Sequence, residues 1–313
     1  MSTLRIGTRG SRLALTQARW TRDALCRVRP DVEIELVEIR TTGDVIRDVP
    51  LRPEHGSSFF TKEIEDALLE GRVDVAVHSC KDLATQLPDG LTIAAFPPRV
   101  DARDVLVSPH EGLADIPAGS TVGTSSMRRR GFLVEARPDL DVVSIRGNVP
   151  TRIAAVDDGR VGAVVLAAAG LIRLGFEDRI SSFFPEDHML PAAGQGALAL
   201  QVREDDVETS NVARALDDES TRSAVEAERA CLRALEAGCQ SPVGAWARIE
   251  DERLVLDAAI LSPDSTVRAR ESGPASDGES LGVCVAGSIL SQLGVDSLRN
   301  VAWAGPPPRA GGA

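Results

Sequence analysis

Tyrosine is absent from this chain of 313 residues, and aromatic residues of all kinds make up only 3% of it. Lysine is nearly absent too: of 35 basic residues only Lys62 and Lys81 are lysine, and the rest are arginine. Five cysteines (Cys26, Cys80, Cys231, Cys239 and Cys284) are too few and too scattered for a disulfide scaffold. Cys231 and Cys239 lack the close pairing of a zinc site, and four histidines, none in a ligand pair, predict no metal. No apolar run is long enough to span a bilayer, and the opening Met1-Ser2-Thr3-Leu4-Arg5 carries no signal-like hydrophobic region. The expectation is a cytoplasmic protein with no membrane partner. A net charge of -12 repels nucleic acid, whose binding depends on neutralising phosphates, so none is expected as a partner. Any anion site must then be a local basic cleft in an acidic body.

What is present is an alternation of strand and helix signals. Apolar content of 43% is ample for buried cores, and the length suggests two or three domains. Strands are predicted at Leu4 to Thr8, Val32 to Ile39 and Val73 to Val77, with helices at Leu13 to Val28 and Phe59 to Leu69. Pro97-Pro98 marks a joint. Beyond it come strands at 121–123, 142–145 and 163–167, each followed by a helix (Arg128 to Ala136, Thr151 to Val156, Ala169 to Leu174). This pattern argues for parallel sheets covered by helices on both faces. A second joint spans Pro191 to Gly196, after which Ala197 to Val202 reads as a strand returning to an earlier sheet. From about Ser220 a small α+β unit follows: a helix over Ala224 to Leu235 with Gly238 as its cap, three strands (245–249, 254–260, 266–271) and a last helix near 281–293. The Pro306-Pro307-Pro308 and glycine-rich end reads as a disordered tail.

Four strand-to-helix turns share one chemistry. They are Thr8-Arg9-Gly10-Ser11-Arg12, His78-Ser79-Cys80-Lys81-Asp82, Thr124-Ser125-Ser126-Met127-Arg128-Arg129, and Arg146-Gly147-Asn148-Val149-Pro150-Thr151-Arg152. Each offers a hydroxyl, a cation and a possible helix N-terminus. Arginines in a first helical turn oppose the helix dipole, which makes sense if an anion binds there. Ligands of open α/β sheets collect at strand carboxyl ends, so two facing domains would line one cleft with these turns. Arginine forks suit carboxylates. Asp82 admits two readings, a helix N-cap or a group that stabilises a developing cation and moves protons. Cys80 beside His78 lacks an orienting third group and reads as packing. Cys239, in a loop of turn formers, is either a reactive thiol or an inert one.

Together these segments resemble the porphobilinogen deaminase (hydroxymethylbilane synthase) family. The resemblance rests on Ala76-Val77-His78-Ser79 with Lys81-Asp82, Gly123-Thr124-Ser125-Ser126 with Arg128-Arg129, Arg146-Gly147-Asn148-Val149, Gly194-Gln195-Gly196-Ala197 and Gly238-Cys239-Gln240. It implies an α/β fold of two periplasmic-binding-protein-like doubly wound domains plus a small α+β C-terminal domain. The limits would be 1–97 with 197–215, 98–196, and 220–305, leaving 306–313 as tail. It implies one dipyrromethane per chain, held covalently by a thioether at Cys239, and a monomer. The implied activity is a transferase joining four porphobilinogen molecules head to tail into hydroxymethylbilane with loss of ammonia, in tetrapyrrole biosynthesis. Asp82 matches the catalytic aspartate. Ser11, Ser79, Lys81, Asp82, Thr124, Ser126, Arg128, Arg129, Arg146 and Gly147 match cofactor-contacting positions. Arg9, Arg129, Arg152, Arg173 and Gln195 match substrate-binding ones.

Some positions depart from the family pattern. Gly56-Ser57-Ser58 lacks a basic residue in an expected lid over 44–58. Pro150 and Ala237 stand where glycine is usual, and Cys80 where a larger apolar residue is. The other reading of the cleft is a non-catalytic binding module for a carboxylate ligand.

Overall fold

The computed structural model describes residues 3–41, 61–237, 241–261 and 266–298. The expected lid, the tail, Gly238 and Cys239 lie outside them.

The first domain is a five-stranded sheet in the order β2-β1-β3-β10-β4. Its strands are β1 (Leu4–Arg9), β2 (Ile34–Ile39), β3 (Val75–Ser79), β4 (Leu91–Ala95) and β10 (Leu198–Arg203). Helix α1 (Arg12–Val28) starts where Ser11 Oγ accepts from Ala14 N, satisfying one of the four orphan amides of a helix start. It lays Ala18 and Leu25 on Leu4, Ile6, Val75 and Val77. Helix α2 (Lys62–Leu69) covers the opposite face, with Ile64, Ala67 and Leu68 against Val73 and Ala76. The alternation of Val75, Ala76 and Val77 between the two cores follows from the two-residue period of a strand.

The second domain repeats the plan in the order β7-β6-β8-β5-β9. Its elements are β5 (Asp104–Val107), β6 (Thr121–Gly123), α3 (Met127–Ala136), β7 (Asp141–Val143), α4 (Val149–Asp157), β8 (Ala163–Ala167), α5 (Ala168–Leu174) and β9 (Ser182–Phe183). Phe132 and Leu133 of α3 pack on one face, with Val122 and Val165. Ile153 of α4 and Leu171 of α5 pack on the other, with Val105 and Val164. Helices thus lie on both faces of each sheet, as expected.

The sheets are not wholly parallel. β10 runs antiparallel to β3 and β4, and β5 antiparallel to β8 and β9. The reason is the two crossings between domains. β4 leaves the first sheet at the end where the turns after β1 and β3 lie, so β5 enters the second sheet from that end. The return from β9 into β10 does the same in reverse. β4, β5 and β9 were not among the predicted strands.

After α6 (Val207–Arg214), the third domain packs α7 (Glu219–Ala234) and α8 (Gly278–Leu293) against an antiparallel sheet of β11 (Val243–Glu250), β12 (Arg253–Leu261) and β13 (Thr266–Pro274). Helix α7 begins five residues before the predicted helix because Asp218 caps it, accepting from Thr221 N at 2.7 Å. The three units meet at Glu228, a fully buried carboxylate of α7. It accepts from Arg99 Nη1 (2.6 Å) and Nη2 (3.1 Å) on the outgoing crossing. It also accepts from Gly194 N on the returning one (2.6 Å) and from Ala247 N of β11 (2.8 Å).

No helix among the described residues is long and apolar enough to cross a membrane.

Candidate functional site

The four turns predicted to carry ligand groups lie at the carboxyl ends of β1, β3 and β6 and after β7. The domains that hold them approach each other there. Leu13 of α1 reaches the neighbourhood of Gly170 of α5, and Arg12 lies over the Phe176 ring at 5.3 Å.

Lys81 and Asp82 belong to a single 3-10 turn, Cys80–Asp82, directly after β3. Asp82 is exposed and is the last residue of that turn, so the N-cap reading does not hold for it. Its carboxylate acts electrostatically on Lys81, Arg129 and Arg152, which come from three different turns. Burial, then Arg129, then Arg128 push the Lys81 ammonium down to about 8 against the opposing pull of Asp82 and Asp104. Arg152 falls to about 10 through burial and the nearby Arg129 and Arg146. Mutual repulsion within this group of cations favours a bound anion.

Arg128 and Arg129 stand on the first turn of α3, where Ser126 caps the helix by accepting from Arg129 N. Both are buried, and the anion that compensates them within the protein is Asp104 at the start of β5, itself fully buried. Arg128 Nη1 donates to Asp104 Oδ2 and to the Leu190 carbonyl, both at 2.6 Å. Arg129 Nε donates to Asp104 Oδ1 at 2.9 Å and its Nη1 to the Val165 carbonyl. Burial would raise the Asp104 carboxyl, but the two guanidiniums outweigh it and hold it far below the usual carboxylate range. The third arginine of the run, Arg130, turns away to the Val142 carbonyl.

Asp104 was missed in the sequence because it reads as an ordinary charged residue opening an apolar run. Gln195 completes the set. Its Nε2 donates to Asp104 Oδ1 (2.9 Å) and the Ala102 carbonyl (2.7 Å), and its Oε1 accepts from Lys81 Nζ at 3.2 Å. Both glycines beside it are required by close approach. Each has positive φ; a Cβ on Gly194 would meet Cys80 Sγ at 2.8 Å, and one on Gly196 the Val100 carbonyl at 2.4 Å.

The remaining predicted residues are distributed around this core. Thr124 is buried, and its Oγ1 accepts from Ser126 N. Ser79 Oγ bonds the Gln17 amide at 2.9 Å. Half-buried Arg9 ends β1, close enough to His78 to lower its basicity, and Ser11 caps α1. Arg146 is exposed, and Gly147 beside it has φ +109. Arg152 Nε donates to the Gly147 carbonyl at 2.8 Å. Arg173, pushed down to about 10 by burial, donates to the Gly196 carbonyl at the crossing instead of joining the Asp82 group. His78 is bound to Gln201 (2.9 Å) and kept neutral, its pKa lowered by burial to about 4. Cys80 is buried among Leu83, Phe96 and Ala199, its thiol pushed up to about 11 by burial. Neither is set up as a Cys/His catalytic pair.

A cavity of about 90 Å³ is lined by Lys81, Ser126, Arg128, Arg229, Ala237 and Ser241, among others. Arg128 Nε is buried without a hydrogen-bond partner among the described residues, an omission that costs free energy unless another group meets it. Ala237 and Ser241 flank the segment holding Cys239, so a polyanion attached there would enter among these cations. The residues fit a carboxylate-bearing group tethered at Cys239. Among the described residues no cluster of His, Cys, Asp or Glu is placed to hold a metal.

The family described as "Porphobilinogen deaminase, dipyromethane cofactor binding domain" matches residues 4–211, and "Porphobilinogen deaminase, C-terminal domain" matches 223–291. A porphobilinogen deaminase of Desulforudis audaxviator is 51% identical over 91% of this chain and 93% of its own length. One from Geobacter sulfurreducens is 45% identical over 96% and 95%, and one from Brevibacillus brevis 45% over 96% and 98%. Among solved structures, the VFT2 domain of Bordetella pertussis BvgS is similar over 68% of this chain and 86% of that one, at 18% identity and a TM-score of 0.41, too slight a likeness to add to the description. The non-catalytic binding module finds no support in the family and relative matches. With its cation-lined cleft, an Arg128 Nε that is buried without a hydrogen-bond partner among the described residues, and both family regions matched in order, the chain belongs to the porphobilinogen deaminase family, enzymes with a dipyrromethane cofactor.

Proposed function

We propose that this chain is a transferase that condenses four porphobilinogen molecules into hydroxymethylbilane, releasing ammonia at each step, with its dipyrromethane joined to Cys239 through a thioether. The bound dipyrromethane supplies the pyrrole end on which the chain grows. The observation that carries this reading is the meeting of one carboxylate, Asp82, with Lys81, Arg129 and Arg152 from three turns, beside a cavity that opens on the residues flanking Cys239.

Each role follows from charge. Acetate and propionate groups make the substrate and the growing chain polyanionic, and Arg9, Arg128, Arg129, Arg146, Arg152 and Arg173 with Lys81 bind them. Loss of ammonia leaves the substrate methylene electron-poor. Asp82 is the anion placed to stabilise that positive charge and to take up the proton released when the pyrroles join. Ser11, Ser79, Thr124, Ser126 and the Gly147 backbone orient the rings, and Gln195 fixes Lys81. Tethering at Cys239 keeps the growing chain in the cleft across successive additions, so that each coupling is a local event once porphobilinogen binds. We further propose a cytoplasmic monomer that binds neither nucleic acid nor membrane, with domain limits at 1–97 with 197–215, 98–196, and 220–305.

Intact mass tests the reading. The purified protein should exceed its sequence mass by one dipyrromethane and gain further increments on mixing with porphobilinogen; the Cys239→Ala protein should do neither. A wild-type protein of bare sequence mass that ignores porphobilinogen, even after incubation with hydroxymethylbilane, refutes it.

A further inference from the structure

Resting on that functional reading, we propose that Asp104 is a positioning residue, which locks Arg128, Arg129 and, through Gln195, Lys81 into one rigid carboxylate-binding set spanning both domains. Asp104 is fully buried, so it acts through the side chains it holds. Its two oxygens accept three hydrogen bonds, from Arg128 Nη1 on Oδ2 (2.6 Å) and from Arg129 Nε (2.9 Å) and Gln195 Nε2 (2.9 Å) on Oδ1, and Arg129 Nη2 lies 2.8 Å from Oδ1 as part of the ion pair. The outer anchors are backbone carbonyls, Leu190 for Arg128 and Val165 for Arg129. Arg128 thus meets two acceptors through Nη1, and Arg129 meets Asp104 through Nε and Val165 through Nη1, so each guanidinium plane is fixed by two independent acceptors.

Gln195 extends the lock. Its amide nitrogen faces two acceptors, Asp104 Oδ1 and the Ala102 carbonyl. The carbonyl oxygen must then point the other way, where Lys81 Nζ donates to it. Lys81 belongs to the first domain, Asp104 and the arginines to the second, and Gln195 to the returning crossing. The chain of contacts Lys81–Gln195–Asp104–Arg128/Arg129 thus sets the spacing of cations across the cleft.

A residue serving stability alone, a mere counter-charge, and a positioning residue predict different kinetics for Asp104→Asn, which keeps the shape and removes the charge. The protein is assayed with its cofactor, rates being scaled to the fraction that carries the dipyrromethane mass. Positioning predicts that kcat/KM for porphobilinogen falls on the order of 10²-fold, chiefly through a raised KM. If melting drops while KM and kcat per loaded molecule stay at wild-type values, Asp104 is structural only and the proposal is overturned. A KM below wild type overturns it too, because then the carboxylate merely offsets cationic attraction. Gln195→Met leaves the ion pairs intact and cuts the link to Lys81; it should raise KM on the order of 10-fold with a smaller change in kcat. An unchanged KM there overturns the Lys81 arm, and if Asp104→Asn cannot be obtained folded, that variant decides the matter. Failure of the functional reading looks different: the wild-type protein itself would lack the adduct and the turnover.

Discussion

Replacing Glu228 by glutamine should loosen the junction of all three domains. Glu228 is fully buried and accepts four hydrogen bonds at 2.6 to 3.1 Å, two of them from the Arg99 guanidinium. Glutamine offers one oxygen where the carboxylate offers two, so its NH2 group must face donors, and Arg99 is left charged without a counter-ion. Breaking a buried ion pair from one side costs roughly 3–5 kcal/mol. At roughly 2 °C per kcal/mol, suited to a long chain, the melting temperature should fall by about 6–10 °C. Calorimetry on the cofactor-bearing protein measures this. Arg99→Met combined with Glu228→Leu should be less damaging than the two single losses added together, because no unpaired charge then remains. A fall of under roughly 2 °C for Glu228→Gln, or strict additivity of the two changes, would refute the view that this pair clasps the crossings.

Three other changes test the site and its surroundings. Asp82→Asn should keep the fold and the adduct while turnover falls on the order of 10²-fold or more, read by stopped product assays; unchanged turnover removes Asp82 from the chemistry. His78, depressed to about 4 by burial, binds fewer protons when folded than when unfolded between about pH 4 and 6.5. Stability should therefore fall as pH drops through that window, by on the order of 3 kcal/mol from this group, and a His78→Gln protein should show a shallower acid loss in denaturant titrations. Lys81, depressed to about 8, has the same sign at higher pH: its contribution to stability improves as pH rises from about 8 towards its ordinary value of 10.5. Lys81→Met should accordingly melt higher than wild type at pH 7 yet bind porphobilinogen more weakly; a lower melting temperature would contradict the repulsion described here.

Local chemistry in the sequence specified the starts of α1 and α3, because caps act over three residues: Ser11 and Ser126 each accept from an amide three positions on; the same kind of cap at Asn148 and Asp218 makes α4 and α7 begin earlier than the apolar pattern predicts. It also specified the four turns at the strand ends, since strand, hydroxyl, cation and helix follow one another within a dozen residues. The strand that returns after Gly196 was legible for the same reason, but its direction was not. That direction depends on where the chain re-enters the sheet after crossing between domains. The two buried acids were hidden for a related cause. Asp104 lies 24 and 25 residues from the arginines it holds and 91 from Gln195, and Glu228 lies 129 from Arg99. The only local trace of Glu228 is an acid on the stripe of α7 that also carries Ala224, Ala227 and Cys231. A sequence shows which side chains carry charge; folding decides which charges lose water, and with it which of them must find each other.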